Sequence, residues 1–272
     1  MFSPQELIIF AAATALSGVV SGFLAGVFGI GGGAVMVPVL YQVLAMLGVD
    51  ESVRMHVAVG TSLAVIIPTS LRSVQGHFKR GAVDMALLRS FLVPVPVGVV
   101  LASLTAAYIS SAGLRLIFTL IMVAVGLRLL FNRESWRLGS EIPGRTVRAV
   151  VGVVIGYLST LMGVGGGVMN NTFMTLYGRP MHQAVATSSG VGVLIAIPGT
   201  IGYIWAGWGH PELPIFSTGF VNWIALALII PIALVVTPFG VRIAHALKKR
   251  HLEIAFGLFA LAVSARFFIS LI

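Results

Sequence analysis

A chain of 272 residues that is 58% hydrophobic and 9% charged, with a mean hydropathy of +1.04, is excluded from the class of ordinary soluble domains. Its formal net charge of +9 falls in short loops between apolar runs, which fits the excess of cations in cytoplasmic loops of membrane proteins and not a nucleic-acid surface. The absence of cysteine rules out disulfides, thiolate metal sites and a Cys nucleophile.

Residues 7–28 form the first apolar run, longer than the roughly 18 residues a membrane helix needs. Only Glu6 precedes it and there is no basic flank, so it reads as structure and not as a cleaved signal. It closes on Phe28-Gly-Ile-Gly31-Gly32-Gly33, and the apolar residues 34–47 that follow cover only about 21 Å as helix, against a hydrocarbon core of about 30 Å. Next comes a helix carrying His56, Thr61 and Ser62, with Arg72 near its far end, and then a span tracking residues 114–128. The longest polar stretch, residues 132–148, separates two halves.

The second half repeats the landmarks of the first in the same order. Gly18-Val-Val-Ser-Gly22 returns as Gly152-Val-Val-Ile-Gly156, and the first glycine run as Met162-Gly-Val-Gly165-Gly166-Gly167. Residues 168–177 are again too short to span, covering about 15 Å. His182 with Thr187 and Ser188 matches His56 with Thr61 and Ser62, an apolar run at 216–239 reads as the next span, and residues 252–266 track 114–128. Eleven of the 17 Lys and Arg residues lie at 79–80, 133–148, 179 and 242–250, which places those segments in the cytoplasm. Corresponding loops then fall on opposite sides: residues 75–81 inside, residues 206–219 outside. The expectation is an all-α polytopic membrane protein of two inverted-topology repeats, 1–131 and 149–272, joined by a cytoplasmic linker at 132–148. Each repeat is a Gly-rich broken or re-entrant helical hairpin plus three transmembrane helices, with both termini outside.

Glycine at the density of the two runs weakens helix, so the backbone there is expected to unwind. Irregular backbone at membrane depth persists where protein, water or a ligand satisfies its amides, and such amides at a helix start form an electropositive nest for an anion. The candidate substrate site is therefore Gly31, Gly32, Gly33, Gly165, Gly166 and Gly167, joined by Asn170 and Asn171 one turn on and by the hydroxyls of Thr61, Ser62, Thr187 and Ser188. Arg72, without a basic counterpart in the second half, is a candidate for recruiting an anion at the inner mouth. His56 and His182 read as interfacial anchors, and Arg128 and Arg266 as cations snorkelling to the interface. All eight carboxylates fall in loops or at span ends, so none is expected as a midplane proton or sodium ligand. The glycine runs lack the Lys-Ser/Thr ending of a P-loop.

At these residues the chain resembles the TauE/SafE sulfite exporter family. The resemblance rests on Gly26-Val-Phe-Gly-Ile-Gly-Gly-Gly-Ala-Val-Met-Val-Pro-Val-Leu40 and Gly163-Val-Gly-Gly-Gly-Val-Met. It extends to 58–62, 184–188 and the stretch from Gly76-His77 to Gly81-Ala-Val-Asp84. It implies transport of sulfite or an organosulfonate such as sulfoacetate outward across the cell inner (cytoplasmic) membrane. The expected function is a secondary transporter working by alternating access, not an enzyme, with an anion channel for small oxyanions as the alternative. A small anion and the lipid bilayer are the expected partners; no cofactor and no metal is expected, and the sequence leaves oligomeric state undefined.

Overall fold

The computed structural model describes residues 12, 14–23, 33–131, 137–246 and 249–270. Gly31 and Gly32 of the candidate site lie outside the described residues, so of the first glycine run's site residues the structure places Gly33 alone. The helices in chain order are α1 (Thr14–Phe23), α2 (Gly33–Met46), α3 (Glu51–Lys79), α4 (Met85–Phe91), α5 (Pro94–Ala106) and α6 (Ser111–Leu130). After the linker come α7 (Arg145–Met162), α8 (Gly167–Leu176), α9 (Met181–Ala206), a two-residue hairpin of β1 (Ser217–Thr218) and β2 (Val221–Asn222), α10 (Trp223–Ala246) and α11 (Lys249–Ile269). Six of these helices are long and apolar enough to cross a membrane, and α4 with α5, bent by 40° about residues 92–93, makes a seventh if read as one span. The protein is an all-α multi-pass membrane protein.

Local chemistry sets the element ends. The Asp50 side chain caps α3 by accepting from the Ser52 N–H at 2.8 Å, and the Ser52 hydroxyl donates to the same oxygen. These bonds hold the Asp50 carboxyl below its usual range. Pro94 at the first turn of α5 has no N–H to lose there and pre-sets the helix after the bend. One sequence expectation needs correction. Residues 216–239 do not form a single span: Phe216 takes a positive φ of 58°, residues 217–222 turn back as the small hairpin, and the helix starts only at Trp223. Apolar composition concealed the turn, because Phe220 and Val221 are buried against other helices and not against lipid.

Helices α3 and α9 form the centre. About 61% of each apolar window is buried, against 22–39% for the other spans. They cross antiparallel: Gly60 lies against Tyr203, Leu63 against Gly199 and Ser70 against Gly192. α6 and α11 also run antiparallel, with Gly126 against Gly257 and the Ser264 hydroxyl against the Thr119 carbonyl. Each caps the other's final carbonyls with an arginine from its first turns: Arg115 bonds Ser270 O, and Arg250 bonds Leu129 O and Leu130 O.

The small-residue pairs mediate the closest approaches. Gly152 and Gly156 on α7 press on Pro94 and Val95 of α5, while Gly18 and Gly22 on α1 press on Ile232 and Ala233 of α10. Each half thus lays its first helix on the other half's later span. The loops gather at two ends of this bundle. Residues 49–50, 107–110 and 207–216 share one end, where Tyr108, Trp205, Trp208 and Trp223 are exposed as an aromatic belt would be. Residues 80–84, the described part of the linker and Arg179 share the other end, where the Leu138 N–H donates to Leu176 O. Since the linker also leads into α7, the turn between α7 and α8 lies in the interior and both outer ends return to one face.

Candidate functional site

The second glycine run breaks the backbone as its composition predicts. α7 stops at Gly163 (φ +66°), and α8 is entered from Gly166 (φ +72°), both conformations that side chains with a Cβ rarely adopt. The Gly163 carbonyl, which no helix satisfies, accepts from the Ser62 hydroxyl of α3 at 2.8 Å. Gly33, the last glycine of the first run, reaches the same place. A Cβ on Gly33 would lie 2.3 Å from Gly163 O and 2.8 Å from Val164 Cα, so the start of α2 meets the turn before α8 backbone to backbone.

Beyond this junction, α8 carries a polar cluster. Asn170 and Asn171 are buried, and Ser188 of α9 joins them: its hydroxyl accepts from Asn170 Nδ2 at 2.7 Å and donates to Asn171 Oδ1 at 2.7 Å. Among the described residues, Asn170 Oδ1 and Asn171 Nδ2 are buried and find no partner. Two unsatisfied amide atoms in an apolar interior are costly, and a bound solute or water with both donor and acceptor character would relieve them.

Not every candidate joins this cluster. Thr187 Oγ1 accepts from the Asp84 N–H at 2.9 Å, and Thr61 Oγ1 from the Asn222 N–H at 3.0 Å. Because α3 and α9 are antiparallel, the Thr61-Ser62 and Thr187-Ser188 pairs stand about 20 Å apart along the axis, at 1.5 Å per residue. They flank the glycine junction from opposite ends. Gly165, Gly166 and Gly167 are buried, with Ile66, Ile155, Val191 and Ile195 packed on the first two. Beside them runs a crevice of only about 10 Å³ between α6 and α8, no larger than one water requires. Arg72 is exposed on α3.

Five residues take roles that differ from their sequence reading or escaped it. His56 is no interfacial anchor: it is buried, its Nε2 lies 3.1 Å from Ala106 O and 3.0 Å from Ile109 O, and Phe220 packs on its ring, whereas His182 is exposed. Arg128 turns to Thr172 Oγ1 of α8, and Arg266 to Gln42 Oε1 of α2. Asp84 and Asn222 were missed as a matched pair. Each follows a positive-φ glycine and a valine, in Gly81-Ala-Val-Asp84 and Gly219-Phe-Val-Asn222, and each caps a helix while donating its N–H to a threonine of the other half. That four-residue pattern was present in the sequence as a further landmark of the repeat.

Comparison with known proteins agrees with this architecture. The sulfite exporter TauE/SafE family matches residues 14–267. A probable membrane transporter protein of Haemophilus influenzae is 30% identical over 93% of this chain and 96% of its own length. A probable membrane transporter protein of Methanocaldococcus jannaschii is 29% identical, with 87% of each chain covered. Probable membrane transporter protein YunE of Bacillus subtilis is 27% identical, with 86% of each covered. No solved structure matches the chain.

Proposed function

The chain belongs to the sulfite exporter TauE/SafE family of membrane transporters, and from that premise we propose that it exports a small sulfur-containing anion, sulfite or an organosulfonate such as sulfoacetate, by alternating access. The observation that carries the reading is the buried junction of the glycine runs, Gly33 on Gly163 and Val164, with the Asn170, Ser188 and Asn171 cluster beside it. The unpartnered Asn171 Nδ2 donates to an oxyanion, Ser188 turns its hydroxyl to the same solute, and the first N–H groups of α8 add the positive end of a helix. Within the cytoplasmic membrane, the electrical potential drives the anion outward with about 2.3 kcal/mol per charge per 100 mV.

Residues 1–131 and 149–272 act as inverted-topology repeats about the linker 132–148, the end holding Arg80, Arg137 and Arg179 facing the cytoplasm. Three features support this: equivalent helices cross antiparallel, α3 with α9 and α6 with α11; the glycine pairs of α1 and α7 press on exchanged partners; and the Thr61–Asn222 and Thr187–Asp84 bonds exchange halves in the same way. Rocking of one repeat against the other opens the site to each side in turn.

Counterflow in proteoliposomes tests the reading. Internal unlabelled sulfonate should drive transient accumulation of labelled sulfonate, a carrier signature that a channel does not give. Absence of counterflow with sulfite and with every sulfonate tried would sink it.

A further inference from the structure

We infer that Arg128 is the anion-selecting residue at the inner mouth of the crevice between α6 and α8, and that Arg266 is its counterpart between α11 and α2 at the outer mouth. The direction of solute movement in this inference rests on the transport reading above; the charge selection does not.

The crevice has Ile121, Met122 and Val125 of α6 on one wall and Gly166 with Val168 and Met169 of α8 on the other. Both walls continue along the same helix faces. Arg128 lies three residues beyond Val125 and Thr172 three beyond Met169, a spacing that keeps side chains in line on a helix. The Arg128 guanidinium donates to Thr172 Oγ1 and so closes the crevice on the side where α6 and α8 end. A snorkelling arginine points to the headgroups; this one is half-buried and turned across the helix interface. A guanidinium holds five N–H donors in a planar fork that matches an oxyanion, more than one hydroxyl absorbs. The charged groups facing it from α11 are Glu253 and Arg250, which pair with each other at 3.4 Å, so the local balance stays positive.

The same arrangement occurs at the opposite end. Arg266, the counterpart of Arg128 in the repeat, donates to Gln42 Oε1 of α2 at 2.9 Å. Each arginine therefore reaches from one half to the short helix that follows the other half's glycine run. A cation at the mouth of an apolar crevice admits small anions and disfavours cations.

The natural absence of cysteine makes the test direct. Met169→Cys puts one thiol in the crevice and leaves Arg128 and Thr172 intact. Its modification rate is measured from the inner side in reconstituted vesicles, with anionic sulfonatoethyl methanethiosulfonate and with the cationic trimethylammonium-ethyl reagent. The anionic-to-cationic rate ratio should exceed one, fall by about tenfold with Arg128→Gln, persist with Arg128→Lys, and stay unchanged with Arg266→Gln. A ratio that Arg128→Gln leaves unmoved, a ratio lost equally with Arg128→Lys, or a thiol that neither reagent reaches would each overturn the inference. Because the readout needs no transported solute, missing counterflow with a normal ratio would sink the transport reading alone.

Discussion

The short helix behind each glycine run follows one plan and carries two chemistries. Three and four residues past the last glycine, α8 sets Asn170 and Asn171 beside Ser188, whereas α2 sets Met36 and Val37, both buried, with Pro38 next. Ser62, the counterpart of Ser188, turns instead to the Gly163 carbonyl. What the two halves keep in common are close backbone approaches, which no side chain can replace; what they have let diverge are polar side chains, which only their immediate neighbours constrain. On the proposed reading, solute contacts among the described residues therefore come mainly from the second half.

The strongest way to break this comparison is to fill the shared approaches. A Cβ on Gly156 would lie 2.2 Å from the Val95 carbonyl oxygen, while one on Gly22 would lie 2.8 Å from Ala233 Cα. Both obstacles are backbone, so neither can swing aside, but the first is much tighter. Gly156→Ala should destabilise by about 3 kcal/mol or more and Gly22→Ala by about 1–2 kcal/mol, the upper and middle range for overpacking. Apparent Tm in detergent measures both, and the reverse order would mean that the α1–α10 contact, not α5–α7, is the tighter half of the exchange.

The matched caps Asp84 and Asn222 divide the halves next. Asn and Asp cap helices equally well, so Asp84→Asn should change stability by no more than about 0.5 kcal/mol. Asn222→Asp reverses the same exchange with a different result. Asn222 is 3% exposed and its Nδ2 donates to Ile215 O and Ser217 Oγ, so a carboxylate there is buried against the Ile215 carbonyl, which can only accept, and keeps at best the Ser217 hydroxyl as a donor. A loss of about 2–3 kcal/mol is expected. Equal thermal shifts for the two variants would show that these positions are not held differently.

How far the sequence reached follows from the same division. The glycine runs, the too-short helices behind them and the Gly18/Gly22 and Gly152/Gly156 pairs were legible because each is a backbone requirement that composition records directly. Asn170, Asn171 and Ser188 were legible because amides and hydroxyls are conspicuous in apolar surroundings. The convergence of Thr61 and Thr187 on the same site was not borne out in space, since sequence matching fixes equivalence and leaves distance open: antiparallel crossing of α3 and α9 sends the two to opposite sides. The hairpin at 217–222 stayed hidden for another reason. Hydropathy sees Phe220 and Val221 as lipid-facing, yet they are buried on α3 and α9, with Phe220 against His56 and Tyr203. Arg128 and Arg266 were visible as a pair, but only the fold shows that each reaches a polar group across the halves.

Transport itself sharpens the comparison at smaller amplitude. Asn170→Ala removes the 2.7 Å bond that holds Ser188 in the proposed site. The KM for efflux should rise by about tenfold, equivalent to about 1.4 kcal/mol. Met36→Leu, a near-isosteric change at the equivalent place in α2, should leave KM within about twofold. If the two variants shift KM alike, the solute touches both short helices and the site is symmetric after all.

The smallest expected effect concerns the starts of the two central helices. α3 begins with the Asp50 cap, while α9 begins at Pro180 with no side-chain cap bond. The bonds from Ser52 hold the folded-state pKa of Asp50 below its ordinary value of 3.8. A lowered folded-state pKa means that the stabilisation is fully present above the unfolded value and fades as pH falls through the folded one. Asp50→Ala should therefore lower Tm slightly at pH 6, and the gap from the unsubstituted chain should close below about pH 4. Ser52→Ala should reproduce the closing gap, because it removes the hydroxyl that holds the carboxylate charged. A gap of constant size from pH 6 to pH 3 would mean that Asp50 supports α3 without using its charge, and the acid response would then not distinguish the start of α3 from that of α9.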